Sequence, residues 1–219
     1  GAAGLMLADA MISDEFFAGK SILLLDKDTK TTNDRTWCFW EKGEGQFDHL
    51  VHKKWNHIYF GGKQFSKRFN INPYTYKMVR GIDFYQSVLQ RIEAHTDVTF
   101  KQAEVMAVED NGRNVVVSTS GETFYGQQAF NSIFGYDMAT HQTKYPVLQQ
   151  HFVGWFVKTK KPVFDTDQAT YMDFSIPQKG NTRFIYVLPT SNNEALVEYT
   201  LFSKDLLSKE EYENAIKNY

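Results

Sequence analysis

The sequence of 219 residues has a single cysteine, Cys38, which excludes an internal disulfide and a cysteine-rich zinc site. It has no apolar run of the roughly 20 residues that a transmembrane helix needs, and its mean hydropathy is −0.46. No basic segment followed by an apolar run opens the chain, so we expect no signal peptide and a reducing, cytoplasmic location. The net charge of −2 lacks the basic excess of nucleic-acid-binding proteins, and we expect no nucleic-acid partner.

The histidine pattern does not predict a metal site, although three of the six histidines fall in one segment. Metal ligands must converge on one point, and only His49 and His52 share a helical face there. No glutamate completes an H-E-x-x-H pattern. A solvated or hydrogen-bonding role explains these histidines better, and we predict no metal ligand.

Apolar residues make up 42% of the sequence and aromatic residues 16%, which is enough for one large domain or two closely associated ones. The chain opens with Gly1 and Gly4, an apolar helical pattern over residues 5–12, and the aliphatic run Ser21–Asp26. We interpret that run as a buried parallel strand that ends in an acid. Asp26 lies 22 positions after Gly4, close to the spacing in a dinucleotide-binding βαβ unit.

In such a unit, glycines let a pyrophosphate approach the helix N-terminus and the acid binds ribose hydroxyls. The first strand and first glycine of that fingerprint are missing, so we expect the chain to begin inside it. An ordinary helix–strand pair with a chance acid is the alternative. Arg35, in the stretch NDRTWCFW, is a candidate contact for a phosphate or a flavin ring, or else a surface arginine beside tryptophans.

Residues Arg183–Ser203 predict a β-hairpin, because apolar runs at Phe184–Leu188 and Ala195–Phe202 flank a segment of turn-forming residues. Alternation places Glu198 on one face of the second strand among largely apolar neighbours. If that face is buried, desolvation raises the pKa of Glu198 and makes it a proton donor near neutral pH. The alternative is an edge strand with Glu198 facing water. A further acid, Asp173 in the stretch YMDF, is predicted to share a strand face with Tyr171.

The stretches NDRTWCFW, QHFVGWFV, YMDF and FIYVLP…ALVEYTLF together resemble the flavoprotein lycopene cyclase family over almost the whole chain. The resemblance implies an α/β fold (α+β overall), with a glutathione-reductase-like FAD/NAD(P)-binding Rossmann domain and an antiparallel β-sheet substrate domain. We assign residues 1–45 and 79–145 to the FAD-binding part, and 46–78 and 146–219 to the substrate-covering part. The family's C-terminal glycine-rich segment is also missing, so we expect a fragment truncated at both ends.

The resemblance also implies roles for individual residues. Gly1 and Gly4 correspond to the last two glycines of the FAD fingerprint, and Asp26 to its ribose-binding acid. Glu198 corresponds to the acidic residue of the family's hairpin motif, the proposed catalytic acid. Asp173 corresponds to the acid of the family's MD motif, a second catalytic candidate.

The implied reaction is acid-initiated cyclisation of lycopene ψ-ends to ionone rings of the β-carotene type, without net redox change but with reduced FAD. NAD(P)H is a candidate reductant for the flavin. The substrate is lycopene or a related acyclic carotenoid, which implies peripheral association with a membrane surface for loading. The cationic intermediate needs electron-rich rings, and the candidates, which otherwise serve as core residues, are Tyr186, Tyr199, Phe202 and Trp155.

Two other functions remain open. One is a redox flavoenzyme on the same scaffold, such as a prenyl reductase or an aromatic hydroxylase (a monooxygenase), which substrate-dependent NAD(P)H consumption would reveal. The other is a flavin-free module that binds a carotenoid or another lipid, which a colourless but folded protein would favour.

Overall fold

The computed structural model describes residues 1–133, 144–145 and 147–219. The chain divides into two compact units, Gly1–Trp37 with Val79–Gly135 and Cys38–Met78 with Tyr136–Tyr219. The sequence-based assignment of residues 1–45 with 79–145, and of 46–78 with 146–219, to two functional parts stays a prediction. The expected boundary between 145 and 146 falls at residue 146, outside the described residues.

The helices and strands of the described residues alternate only near the start of the chain and are mostly strands thereafter. In chain order they are α1 (Ala2–Ile12), β1 (Ile22–Asp26), β2 (Thr36–Lys42), β3 (Val51–Trp55), β4 (His57–Gly62), β5 (Phe65–Asn70), β6 (Tyr74–Arg80), α2 (Gly81–Glu93), β7 (Val98–Gln102), β8 (Val105–Asp110), β9 (Val115–Thr119), β10 (Thr123–Gly126), β11 (Gln149–Lys158), β12 (Gln168–Asp173), β13 (Arg183–Pro189), β14 (Glu194–Ser203) and α3 (Lys209–Asn218).

The first unit contains the predicted helix–strand pair. Strands β1 and β7 pair in parallel, from Ile22 opposite Val98 to Asp26 opposite Gln102. Strand β1 is parallel, as predicted, but it is only partly buried, and Leu23 is 39% exposed, so the expectation that the strand is buried is wrong for the described structure. The reason is that β1 belongs to a sheet of two described strands. Strands β8, β9 and β10 form a separate antiparallel sheet.

The second unit is built on a six-stranded sheet of order β11-β14-β13-β12-β4-β5. The predicted hairpin is confirmed as β13 and β14, which pair from Arg183 opposite Leu201 to Pro189 opposite Ala195. The sheet is not purely antiparallel as expected, because β12 pairs with β4 in parallel. A parallel pair needs a long crossover connection, and more than 100 residues separate the starts of these two strands in the chain.

The two faces of this sheet pack against different partners. On one face, Tyr212 and Ile216 of α3 join a core cluster with Ile185, Val197, Tyr199 and Leu201. On the other, Leu188 and Leu196 join a cluster with Ala169, Trp55, Tyr76 and Met78. Strand β14 is therefore a central strand with packing partners on both faces, and the edge-strand alternative is wrong.

Helix α3 begins at a capping box formed by Ser208 and Glu211 and is tied to the sheet by a polar chain. The Tyr212 hydroxyl lies 2.5 Å from His151 Nδ1, and His151 Nε2 lies 2.8 Å from Ser203 Oγ. Because Ser203 donates its proton to the carbonyl of Asp205, it accepts one from His151 Nε2, which leaves Nδ1 to accept from Tyr212.

The helices of the described residues include none with the length and apolar character needed to cross a membrane.

Candidate active site

Glu198 lies at the middle of β14, with Gly154 of β11 opposite it on one side and Tyr186 of β13 on the other. Directly paired residues of antiparallel strands point to the same face. Glu198 and Tyr186 are thus on the sheet face that carries Leu188 and Leu196 and that packs against Trp55 and Tyr76. The structure therefore places the acid on a predominantly apolar face, as the sequence predicts.

Among the described residues, the Glu198 carboxyl has one directed contact, a hydrogen bond from Thr200. Thr200 Oγ1, which is fully buried, donates a hydrogen bond of 2.7 Å to Glu198 Oε1. Burial raises the pKa of Glu198, and the hydrogen bond from Thr200 only partly opposes this effect. Within the described part of the chain no cation pairs with Glu198, so nothing there forces the carboxyl to ionise.

Two neutral titratable groups interact electrostatically with Glu198. Burial raises the pKa of the Cys38 thiol to about 12 and the pKa of the Tyr186 phenol to about 12, and the charge of Glu198 contributes to both. Both groups are therefore protonated at neutral pH. Cys38 also contacts Tyr76, whose pKa burial raises as well, so these three groups carry no charge at neutral pH.

A continuous group of aromatic rings lines this face. The ring centroids of Trp40 and Tyr76 are 4.6 Å apart, and those of Tyr76 and Tyr171 are 5.8 Å apart. Tyr171 and Tyr186 follow at 6.0 Å, and Tyr186 and Phe184 at 5.0 Å. Of these rings, only Tyr186 was predicted from the sequence. The others lie on β2, β6, β12 and the start of β13, and no local sequence pattern indicates that these positions meet.

Two of the rings expected to stabilise a cation lie on the opposite face. Tyr199 is in the cluster under α3, where its hydroxyl accepts a hydrogen bond of 2.9 Å from Arg183. Trp155 also packs there, with Lys217 5.7 Å from its ring centroid. Strand alternation turns these odd-numbered residues away from Glu198. Phe202 lies on the same face as Glu198 and contacts Phe184 at 6.4 Å.

Asp173 is buried at the end of β12, but the structure does not bring it to Glu198. Its Oδ1 accepts a hydrogen bond of 2.9 Å from the Ser175 amide, and its Oδ2 accepts one of 2.8 Å from the Tyr219 hydroxyl. It pairs opposite Ile185, a residue of the cluster under α3. The two acids therefore lie on opposite faces of the sheet, and a catalytic role for Asp173 stays a prediction.

The predicted dinucleotide-binding residues lie together in the first unit. Gly1 caps α1, and a Cβ added to it would meet no atom within 4 Å. A Cβ on Gly4 would lie 3.3 Å from Leu24 Cδ1, so this glycine permits close packing of α1 on β1. Asp26 ends β1 and contacts the N-terminal ammonium of Gly1, which places the acid beside the start of α1.

The Asp26 carboxyl is also held by its own loop. Its Oδ1 accepts a hydrogen bond of 3.0 Å from the Asp28 amide and forms an ion pair of 3.1 Å with Lys30. Burial acts to raise the pKa of Asp26, but the contacts from the N-terminus, Asp28 and Lys30 outweigh it and hold that pKa below its usual value. Asp26 is thus an oriented carboxylate that can accept hydrogen bonds from hydroxyl groups.

Arg35 is fixed by its backbone, whereas its side chain is exposed. Its carbonyl accepts a hydrogen bond of 2.7 Å from the Gly81 amide at the start of α2. Its guanidinium donates to the carbonyl of Asp34 at 3.0 Å.

Among the described residues, no group of three or more histidine, cysteine, aspartate or glutamate side chains is arranged to hold a metal ion.

Similar solved structures define the class of fold. The halogenase PltM matches with 10% identity and a TM-score of 0.65, over 100% of this chain and 54% of that one. Xcc4156, a flavin-dependent halogenase from Xanthomonas campestris, matches with 11% identity and a TM-score of 0.65, over 100% and 57%. A geranylgeranyl bacteriochlorophyll reductase-like protein from Thermoplasma acidophilum matches with 13% identity and a TM-score of 0.61, over 100% and 58%.

The chain therefore has the mixed α/β fold of FAD-binding enzymes, and it spans a little over half the length of these structures. A family profile described as "Lycopene cyclase protein" matches residues 1–219. The chain belongs to the lycopene cyclase family, as the resemblance of its motifs predicts. A search of curated proteins found no match.

Proposed function

We propose that the protein is an FAD-dependent lycopene cyclase, an intramolecular lyase or isomerase that closes lycopene ψ-ends into ionone rings of the β-carotene type. The observation that carries the proposal is the environment of Glu198. Its carboxyl lies on a central strand without a paired cation in the described structure, and burial raises its pKa. Protonation of an alkene requires an acid that stays neutral, and the half-buried, largely apolar environment of Glu198 favours the neutral form.

The hydrogen bond from Thr200 assigns different roles to the two carboxyl oxygens. Since Thr200 Oγ1 donates to Oε1, we assign the transferable proton to Oε2. That proton goes to a terminal carbon–carbon double bond of the substrate and leaves a tertiary carbocation. The next double bond attacks the cation and closes the ring. Loss of one proton ends the reaction, so composition and oxidation level are unchanged.

The aromatic rings on the Glu198 face stabilise the positive charge of the substrate. Tyr186 is directly opposite Glu198, and Tyr171 contacts Tyr186. A desolvated cation over such a ring gains about 0.5–2 kcal/mol. Because the pKa of Tyr186 is raised to about 12, its phenol stays protonated, and the ring acts through its electron-rich face rather than as a base.

The first unit fits FAD bound in a glutathione-reductase-like manner. Gly1 lies at the start of α1, Gly4 allows α1 to pack closely on β1, and Asp26 presents an oriented carboxylate for the ribose. Arg35 has an exposed guanidinium for a phosphate or the flavin ring. Bound reduced FAD supplies a negative charge that favours a cationic intermediate without hydride transfer, and NAD(P)H is the proposed reductant.

The proposed substrate, lycopene or a related acyclic carotenoid, is insoluble in water. We therefore assign the protein to the cytoplasm with peripheral association at a membrane surface, through exposed apolar residues.

A redox flavoenzyme is the second candidate, because the similar solved structures include flavin-dependent halogenases and a reductase-like protein. Such an enzyme consumes NAD(P)H in proportion to substrate, whereas cyclisation needs only enough reductant to keep the flavin reduced. A flavin-free module that binds carotenoid or lipid would form neither kind of product.

The test expresses the full chain in bacteria that accumulate lycopene and separates the pigments by chromatography. We expect cyclic carotene from wild type and at least a 100-fold loss with Glu198→Gln, the lower range for loss of a general acid. Glu194→Gln is the matched control, because Glu194 is on the same strand but its side chain is 45% exposed and paired with Lys158. Asp173→Asn tests the second predicted acid.

Full activity of a folded, flavin-loaded Glu198→Gln variant would remove Glu198 from the role of acid and direct attention to Asp173. Absence of cyclic product from flavin-loaded wild type, together with substrate-dependent NAD(P)H consumption, would replace cyclisation by the redox function.

A further inference from the structure

Gly154 is the residue of β11 directly opposite Glu198. A Cβ added to Gly154 would lie 3.0 Å from Leu196 Cδ1 and 3.7 Å from both Cβ and Cγ of Glu198. Any side chain at this position would therefore extend over the stem of Glu198. The absence of one leaves the acid open from the side of β11.

The backbone does not explain this glycine. Gly154 does not have a positive φ, so its conformation is open to other residues. A glycine inside a strand weakens the strand, and its presence often marks a place where a ligand approaches closely. Gly154 is also exposed, so the open space beside Glu198 faces outward.

Two exposed aromatic rings flank the gap. Phe152 is 57% exposed and Phe156 is 70% exposed, and both share the face of Gly154 on β11. Their Cα atoms are four residues apart, roughly 13 Å along a strand, which is longer than one six-membered ring. Beyond them the face becomes polar at Gln150 and Lys158, and Lys158 pairs with Glu194 at 2.8 Å.

We propose that the strip Phe152–Gly154–Phe156 receives the apolar end of the polyene, and that the missing side chain of Gly154 admits the terminal double bond to Glu198. The inference rests on the proposed function and makes Gly154 a specificity-determining residue. The chemistry matches an unfunctionalised hydrocarbon end, since the strip between Gln150 and Lys158 offers aromatic rings and no charge.

The first experiment measures cyclisation kinetics of flavin-loaded full chain with Gly154→Ala and Gly154→Leu. We expect Gly154→Leu to lower kcat about 100-fold, the loss that follows when a reacting group is displaced by about 1 Å. The kcat of Gly154→Ala is expected to lie between those of Gly154→Leu and wild type. Gly62→Leu is the matched control, because Gly62 is a strand glycine of the same sheet with no atom closer than 3.9 Å to its added Cβ.

The second experiment keeps the inference testable if Gly154→Leu does not fold. Diphenylhexatriene, a linear apolar polyene that fluoresces when it leaves water, serves as the binding probe. The double variant Phe152→Ser/Phe156→Ser is expected to bind it about tenfold more weakly, because the strip loses both rings. Phe65→Ser, an exposed phenylalanine on β5, is expected to bind it like wild type.

The outcomes separate this inference from the proposed function. If wild type cyclises lycopene but Gly154→Leu does so at the wild-type rate, the Gly154 inference is overturned while the function stands. If the double phenylalanine variant binds the probe like wild type, the strip is not the binding surface. If wild type forms no ring, the proposed function fails, and the probe still reports whether the strip binds an apolar polyene.

Discussion

The Thr200→Val substitution isolates the one directed contact of the proposed acid. Valine has nearly the shape of threonine, and Thr200 is fully buried, so the change removes a hydroxyl without opening a large cavity. The hydrogen bond that disappears has an oxygen–oxygen distance of 2.7 Å, typical of a well-formed contact. Such a bond contributes about 0.5–1.5 kcal/mol to a neutral partner and about 1.5–3 kcal/mol to a charged one.

Two effects follow from these magnitudes. Because the bond favours the ionised carboxyl more than the neutral one, its loss raises the pKa of Glu198 further. The active form is the protonated acid, so the rate is high below this pKa and falls as pH rises through it. In Thr200→Val this fall therefore occurs at higher pH. On the low-pH plateau, kcat is expected to drop about threefold to tenfold, because the carboxyl is less well oriented.

The assay is the pH profile of kcat with flavin-loaded protein, measured for Thr200→Val and Thr200→Ser side by side. Serine keeps the hydroxyl and is expected to restore the wild-type profile. The assigned role of this hydrogen bond would be refuted if the kcat of Thr200→Val fell at a lower pH than that of wild type. It would also be refuted if the valine and serine variants had the same pH profile.

Two further substitutions test the two units separately. Gly4→Val adds carbon atoms where even a Cβ would lie 3.3 Å from Leu24, so we expect a loss of about 1–3 kcal/mol in unfolding free energy and a lower FAD content by absorbance. The exposed control Ala3→Val is expected to keep the wild-type flavin content. An unchanged flavin content in Gly4→Val would contradict the assigned role of Gly4. Tyr212→Phe removes the hydroxyl that donates to His151, and we expect a loss of about 1 kcal/mol by denaturant unfolding at neutral pH. Burial lowers the pKa of His151 from 6.5, so the stabilisation by neutral His151 is complete above pH 6.5 and is lost as pH falls below that value. A wild-type protein that became more stable on acidification would contradict the assignment of a neutral His151 that accepts from Tyr212.

Local patterns predicted the elements that carry the site. The hairpin could be identified because turn-forming residues separate two alternating runs, and both signals lie within one short segment. Glycine spacing, a helical pattern and an aliphatic run likewise predicted α1 and β1. The position of Glu198 at a central rather than an edge strand depends on β11, whose pairing with β14 spans about 40 residues of sequence and leaves no local signal.

A shift of register explains why the prediction that Asp173 shares a strand face with Tyr171 is wrong. Simple alternation places Asp173 on the face of Tyr171, but the pairing of β12 shifts register between Thr170 and Asp173. Tyr171 therefore contacts Tyr186 near the acid, while Asp173 lies opposite Ile185. A one-residue irregularity in a strand cannot be recognised from alternating hydrophobicity alone.

The register of β14 against its two neighbouring strands fixes which residue occupies the position of the proposed acid. A change of register would therefore displace the acid without replacing it. If a one-residue deletion near the turn slid β14 by a single position, Glu198 would turn toward α3 and Tyr199 would take its place. The acid would still be encoded and the strand still formed, yet a tyrosine would occupy the position of the proposed acid. A sequence change in the hairpin turn would thus displace the proposed acid even though every proposed functional residue is retained.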